Sequence, residues 1–236
     1  MQPSNIPYRI FPLGDSAVTI DFGNVIDEMT NKEVVARLNQ LQSEPFFGMT
    51  EVVPAYSSLT VYYDVVAIDK KITNSDSAFD WIKKQLLEKL NQLTEYAASE
   101  EKLIKIPVCY DDEFSPDLKY ISSVNKISVE EIIKIHKAKR YKVFMLGFLP
   151  GFPYLGEVDE RIAISRKTQP QNVAAGSVGI AGKQTGIYPL ASPGGWQIIG
   201  RTPEKLFDTA KENPVLLKAG DTVEFYSITK DEFKNY

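Results

Sequence analysis

What the 236-residue chain has little of narrows its function before any motif is read. It contains one cysteine and one histidine. A lone cysteine closes no internal disulfide, and one imidazole with one distant thiol cannot furnish a zinc site, so no metal is expected. A Ser-His-Asp triad would need a nucleophile to match the histidine, and "GSVGI" lacks one of the two glycines of a nucleophile elbow. Nowhere do eighteen apolar residues run together, which excludes a transmembrane helix. The opening "MQPSNIPYRIFPLG" has no basic region followed by an apolar one, so no secretory signal is read and a cytoplasmic location is expected. A basic surplus is missing too: 27 Lys and Arg stand against 31 Asp and Glu, a net charge of -4. That argues against nucleic acid as a partner. The short run "KIHKAKRYK", Lys134 to Lys142, reads as the solvated face of a helix.

What is present is a globular composition, 43% apolar and 25% charged, in a length that fits one large or two small domains. The first hundred residues carry a strand, helix, strand, helix rhythm. "YRIFPLGDSAVTIDFG" predicts a strand pair or bent strand about Gly14 and Asp15. "TNKEVVARLNQLQ" sets Val34, Val35, Leu38 and Leu41 at helical spacing, with Thr30 and Glu33 spaced as a capping box. "EVVPAYSSLTVYYD" returns to strand, and Phe79, Ile82, Leu86 and Leu90 repeat the helical period. These units predict a small α+β sandwich over residues 1–97, with a linker in the polar stretch Thr94 to Lys102.

From residue 98 onward the character changes. "LIKIPVCY" predicts a strand with Cys109 as a buried member, two short helices follow, and Ser128 with Glu131 forms a second capping-box pattern. Beyond "RYKVFMLGF" come ten of the fourteen glycines between Gly147 and Gly200, interleaved with prolines. Short strands between turns at this density predict a β-barrel or sandwich, closed by a last strand after a turn at Ala219 to Asp221. The loop "GFLPGFPYLG", Gly147 to Gly156, puts Phe148, Phe152 and Tyr154 on a breakable backbone. Such a loop either folds onto the core or lines a binding surface.

The glycines fit neither phosphate-binding template: "GIAGKQTG" has Gln after Gly-Lys where a P-loop needs Ser or Thr, and no helical period follows any of them. They serve as barrel corners, or as the close-approach backbone of a pocket. The pocket reading rests on Gln184, Thr185, Tyr188, Ser192, Trp196, Gln197 and Arg201, neutral donors, acceptors and aromatic faces at short intervals. In "SPGGW" the Gly194 and Gly195 amides would face an oxyanion while Trp196 supplies a wall.

Together "FMLGFLPGFPYLG", "AGSVGIAGKQTGIYP" and "SPGGWQIIGRTP", with "GDSAVTIDFG" and "PAYSSLTVYYD" earlier, resemble the KipI and allophanate hydrolase subunit 1 family, which includes B subunits of prokaryotic 5-oxoprolinase. The resemblance covers nearly the whole chain. It implies an α+β domain followed by a cyclophilin-like β-barrel over residues 98–236. It also implies partner chains: a C-type chain, like allophanate hydrolase subunit 2, that shares the active site, and an A-type chain of the lactam-hydrolase kind. The implied reaction is ATP-dependent opening of 5-oxoproline to glutamate, with ATP shared with or held by the partner. The family also offers other readings, inhibition of a histidine kinase or a carboxyltransferase role in urea metabolism. Carried onto this sequence, the family motifs mark Phe148, Gly151, Phe152, Ser177, Thr185, Tyr188, Ser192, Gly194, Gly195, Trp196 and Arg201 for substrate contact. His136, Gln184 and Arg166 are marked for catalysis, His136 as proton carrier, Gln184 at the oxyanion and Arg166 or Arg201 at the carboxylate.

Overall fold

The computed structural model describes residues 6–72, 77–91 and 102–236. The chain divides into two compact units, residues 1–100 and 101–236. The linker expected at Thr94 to Lys102 lies outside the described residues except for Lys102 itself.

The first unit runs β1 (Arg9–Pro12), β2 (Ala17–Asp21), α1 (Glu28–Ser43), β3 (Met49–Pro54), β4 (Ser58–Tyr63), a short α2 (Val65–Asp69) and α3 (Ala78–Asn91). Its sheet is antiparallel in the order β1-β2-β4-β3. The "EVVPAYSSLTVYYD" segment is therefore a hairpin of two strands, turned where the Ala55 N–H donates to Ser58 O at 2.8 Å. Strand alternation sends Val18, Ile20, Leu59 and Val61 to one face, where they pack with Val34, Leu38 and Leu41 of α1 and Ile82 and Leu86 of α3. The opposite face pairs Thr19 with Thr60, whose hydroxyls lie 3.0 Å apart. The cap of α1 differs from the expected Thr30 and Glu33 pair. Asp27 is the N-cap and accepts from the Met29 and Thr30 amides at 2.9 and 3.0 Å. A carboxylate three residues upstream is the stronger acceptor, the Thr30 hydroxyl itself donates to it, and Glu33 is left to pair with Arg37 at 2.7 Å.

The second unit contains β5 (Leu103–Val108), α4 (Leu118–Asn125), α5 (Val129–Ala138), β6 (Arg140–Leu146), β7 (Pro153–Glu157), β8 (Gln171–Val173), β9 (Ser177–Ala181), β10 (Gln184–Ile187), β11 (Ser192–Gly194), β12 (Gln197–Arg201), β13 (Thr222–Ser227) and α6 (Lys230–Lys234). Seven strands form one sheet, β12-β9-β10-β7-β6-β13-β5, antiparallel except for β13 beside β5. Its two edges meet. Cys109 and Arg201 exchange both backbone hydrogen bonds, at 2.8 and 2.9 Å, so the two edges meet at one bridge and the sheet is nearly closed into a barrel. The Cys109 thiol is buried at this seam, and burial pushes its pKa up, away from the thiolate.

Val143, Leu155, Val178, Ile180, Ile187, Ile199 and Val223 fill the barrel. Leu118 and Ile121 of α4 and Ile132 and Ile135 of α5 belong to the same core. Ser128 caps α5, accepting from the Glu131 amide at 3.2 Å. The basic run has Lys134, Lys139 and Arg140 in solvent as expected, but His136 turns inward. The helix α6 follows the last strand, opened by a capping box of Thr229 and Glu232 that the sequence reading passed over.

Candidate functional site

The three unusual motifs come together on the outside of the barrel. Alternation along β7, β10, β9 and β12 leaves Tyr154, Gly186, Gly179 and Ile198 facing away from the barrel core, and a second apolar cluster gathers there around Phe152, Val173, Tyr188 and Ile198. Gly179 and Gly186 make the floor flat. A Cβ on Gly186 would stand 3.0 Å from the Trp196 ring and 3.1 Å from the Phe152 ring, and one on Gly179 would stand 3.0 Å from Trp196 Cβ. Only glycine lets the two aromatics lie directly on the sheet.

Phe152 is the centre of the cluster, edge to face with Tyr188 at 5.2 Å, Trp196 at 5.5 Å and Phe148 at 5.6 Å. The loop thus does both things the sequence allowed. Phe152 is 1% exposed and folds onto the barrel, whereas Phe148 is 61% exposed. Phe148 also holds φ at +66°, one of two described non-glycine residues with positive φ. Gly151 turns the loop between them at φ +79°. Tyr188 is buried, its hydroxyl bonded to the Trp196 backbone, and burial pushes its pKa up. Gly194 sits against that ring. Gly194→Ala would place a methyl 2.3 Å from the Tyr188 hydroxyl, and a residue 1% exposed has no room to yield. Thermal unfolding should show a loss of about 1–3 kcal/mol, the usual scale of overpacking. Gly195→Ala, whose nearest neighbour would be Lys167 O at 3.4 Å, should unfold like the native chain.

Polar groups border the platform. Arg166 is exposed, its Cβ within 4.0 Å of where a Cβ on Gly195 would stand. The Ser192 hydroxyl is buried without a hydrogen-bond partner among the described residues. Alternation puts Gln184, half-buried, on the same face as Gly186. Gly194, Gly195 and Trp196, followed by β12, complete the group.

Four expected site residues lie elsewhere. Arg201 ends β12, about 16 Å of strand from Trp196. There its Nε donates to Ala175 O at 2.7 Å and its guanidinium lies 5.7 Å from the Phe233 ring centre. The seam uses its backbone, while Ala175 and the Phe233 ring engage its side chain. Ser177, at the start of β9, is buried. Thr185 and His136 are in the barrel interior, both 0% exposed. The Thr185 hydroxyl gives its one proton to Gly179 O at 3.0 Å, so it accepts from His136 Nε2 at 3.1 Å. His136 Nδ1 therefore accepts from the Tyr110 hydroxyl at 3.0 Å. The ring stacks on Phe225 at 4.7 Å, and Tyr141 donates to the His136 carbonyl at 2.8 Å. Burial lowers its pKa from 6.5 to about 3. The neutral imidazole, both nitrogens engaged, lies inside the core and away from the outer face where the platform stands.

The sequence reading passed over Asp117 and Lys167. Asp117 precedes α4 without capping it. It instead clamps Ile198 of β12 through its backbone N–H, 3.1 Å from Ile198 O, and its carboxylate, which accepts the Ile198 N–H at 2.6 Å. Fifty residues separate it from Lys167, so no spacing could reveal the 2.7 Å ion pair between them. Among the described residues, no cluster of three or more His, Cys, Asp and Glu side chains is placed to hold a metal, and no helix is long and apolar enough to cross a membrane.

A chain in which an α+β unit precedes a barrel with this platform matches the model of the carboxyltransferase domain, subdomain C and D, over residues 8–217, and it belongs to that family. Among curated proteins it is 44% identical to the B subunit of 5-oxoprolinase from Bacillus subtilis, over 98% of this chain and 97% of that one. It is 39% identical to the protein of the same name from Haemophilus influenzae, over 92% and 96%. Among solved structures, PH0987 from Pyrococcus horikoshii has 42% identity and a TM-score of 0.55, over 95% of this chain and all of the other. TTHA0988 reaches a TM-score of 0.77 at 34% identity, with this chain matched over 90% of its length and that one over about 40%. The Kluyveromyces lactis urea amidolyase, at 21% identity and a TM-score of 0.71, shares the fold over 97% of this chain and 15% of its own.

Proposed function

We propose that this chain is the B subunit of a cytoplasmic, ATP-dependent 5-oxoprolinase that converts 5-oxoproline, ATP and water to glutamate, ADP and phosphate. The observation that carries the reading is likeness over more than nine tenths of both chains to proteins named as 5-oxoprolinase B subunits. The reaction opens a resonance-stabilised lactam, so the site must anchor a carboxylate, donate toward a developing oxyanion and exclude water. On this chain Arg166 anchors the carboxylate, Gln184 and the Gly194 and Gly195 amides face the carbonyl oxygen, Ser192 supplies a further hydrogen bond, and Trp196 with Phe152 forms the dry wall. Phe148 reaches a C-type partner, like allophanate hydrolase subunit 2, that covers the platform, and an A-type chain of the lactam-hydrolase kind completes the enzyme.

ATP supplies the driving force for ring opening. The glycine loop at Gly182 does not fit a phosphate cradle: Gly182 and Lys183 lead into β10 rather than a helix, and Lys183 is paired with Glu160 at 2.5 Å. We therefore assign the nucleotide to the partner chains. A second reading, a carboxyltransferase part acting on a urea derivative, draws on 26% identity to the urea amidolyase of Lachancea kluyveri over 94% of this chain but 13% of that protein.

The three chains, purified separately and mixed, should release ADP in response to 5-oxoproline, while this chain alone should release none. Full turnover by this chain alone, or by the two partners without it, would sink the proposal. ADP release in response to a urea derivative in place of 5-oxoproline would transfer it to the second reading.

A further inference from the structure

We infer that Lys167, held by Asp117, is a positioning residue that fixes Arg166 beside Trp196; as a statement about substrate binding, this rests on the function proposed above. The strap between residues 164 and 171 contains little regular structure, yet it is tied at each residue around Arg166. Ile164 exchanges backbone hydrogen bonds with Gly182 at 2.7 and 3.1 Å. Gln197 Nε2 donates to Ser165 O at 3.0 Å. The Lys167 amide donates to Gly195 O at 2.6 Å. The Lys167 ammonium then binds the Asp117 carboxylate at 2.7 Å and Gln171 Oε1 at 2.8 Å. Between these anchors Arg166 is exposed, as Ser165 beside it is, and its Cβ stands next to the glycine pair that precedes Trp196.

The ion pair is not where stability is cheaply found. Both side chains are about 15% exposed, so both charges lose most of their water, and an apolar pair of the same volume would serve the fold as well. Asp117 also forgoes the cap of α4, the use an aspartate at that position ordinarily has. What the arrangement secures is register. One carboxylate holds both Ile198 of β12 and the ammonium of the strap, so Arg166 and Trp196 are referred to the same point. An arginine whose backbone is held in this way has less freedom left to lose when its guanidinium meets a carboxylate.

The test uses Lys167→Met, Asp117→Asn, Arg166→Ala and the double variant Lys167→Met with Arg166→Ala. In the full chain, hydrogen exchange should quicken about 10-fold or more at the amide of residue 167 in Lys167→Met and Asp117→Asn, with the barrel strands unchanged. In the reconstituted complex, Lys167→Met should raise KM for 5-oxoproline about 10-fold and leave kcat within about threefold, which is loss of ground-state binding. Combined with Arg166→Ala it should cost nothing further, because the lysine acts through the arginine. Unchanged exchange at residue 167 overturns the bracket whatever the complex does. Quickened exchange with independent, additive losses overturns the positioning role and leaves a structural ion pair. A native complex silent toward 5-oxoproline removes the function proposed above, and the exchange result still decides whether Lys167 and Asp117 hold the strap.

Discussion

His136→Gln will lower the stability of the chain, flatten its loss of stability in acid, and leave turnover per folded complex within about threefold of the native value. The first effect follows from two buried hydrogen bonds and a stacked ring, worth about 1–3 kcal/mol together when a shorter-reaching amide replaces them. The second follows from proton linkage. Burial depresses the His136 pKa from 6.5 to about 3, so the unfolded chain binds a proton there before the folded chain does. The stabilisation is complete above about pH 6.5 and is lost as pH falls toward 3, at up to about 1.4 kcal/mol per pH unit within that window. The titratable groups facing the ring, Tyr110 and Tyr141, have their pKa values raised by burial and stay neutral throughout. Chemical unfolding at pH 7, 6, 5 and 4 should therefore show a slope in the native chain that is reduced in His136→Gln. A fall in turnover of about 100-fold with unchanged stability would instead restore His136 as an acid or base and count against the buried geometry.

The second large effect separates two phenylalanines four residues apart. Phe152→Ala should destabilise the second unit by about 3–5 kcal/mol, because the ring is 1% exposed and holds Tyr188, Trp196 and Phe148 by their edges. Phe148→Asp should leave the melting temperature of the isolated chain nearly unchanged, since the ring is 61% exposed, and should abolish co-purification with the C-type partner. The asymmetry is the point of the experiment. An isolated chain weakened by Phe148→Asp would make the ring part of this chain's own core, and an unaffected complex would move the interface elsewhere. At ~25 cal/mol per Å² of apolar area, one covered phenylalanine ring supplies a few kcal/mol, enough to decide whether a modest interface forms.

The amino-acid order by itself determined the two-part plan, because its causes are local. Period 3.6 in Val34, Leu38 and Leu41 and in Ile82 and Leu86 dictates helices whatever the surroundings, and glycine and proline between short apolar runs dictate turns and hence a β-rich second unit. The glycine-rich aromatic motifs stood out for the same reason, although their spacing left barrel corners and a pocket both open. Which of those aromatics is buried was not legible. Phe148 and Phe152 are alike in sequence, and only the register of β7 against β10 puts one ring over Gly186 and leaves the other in solvent. His136 sits in a basic run that reads as solvated, and only closure of the barrel gives it Thr185, 49 residues away, and Tyr110, 26 residues away, as partners. Arg201 and Arg166 look equally fit to hold a carboxylate, but Ala175 and the Phe233 ring engage the side chain of one while the Asp117 and Lys167 bracket holds the strap that carries the other. Local periodicity acts over a few residues, whereas burial, charge pairing and the identity of the available arginine depend on contacts between strands that the chain brings together only when the sheet closes.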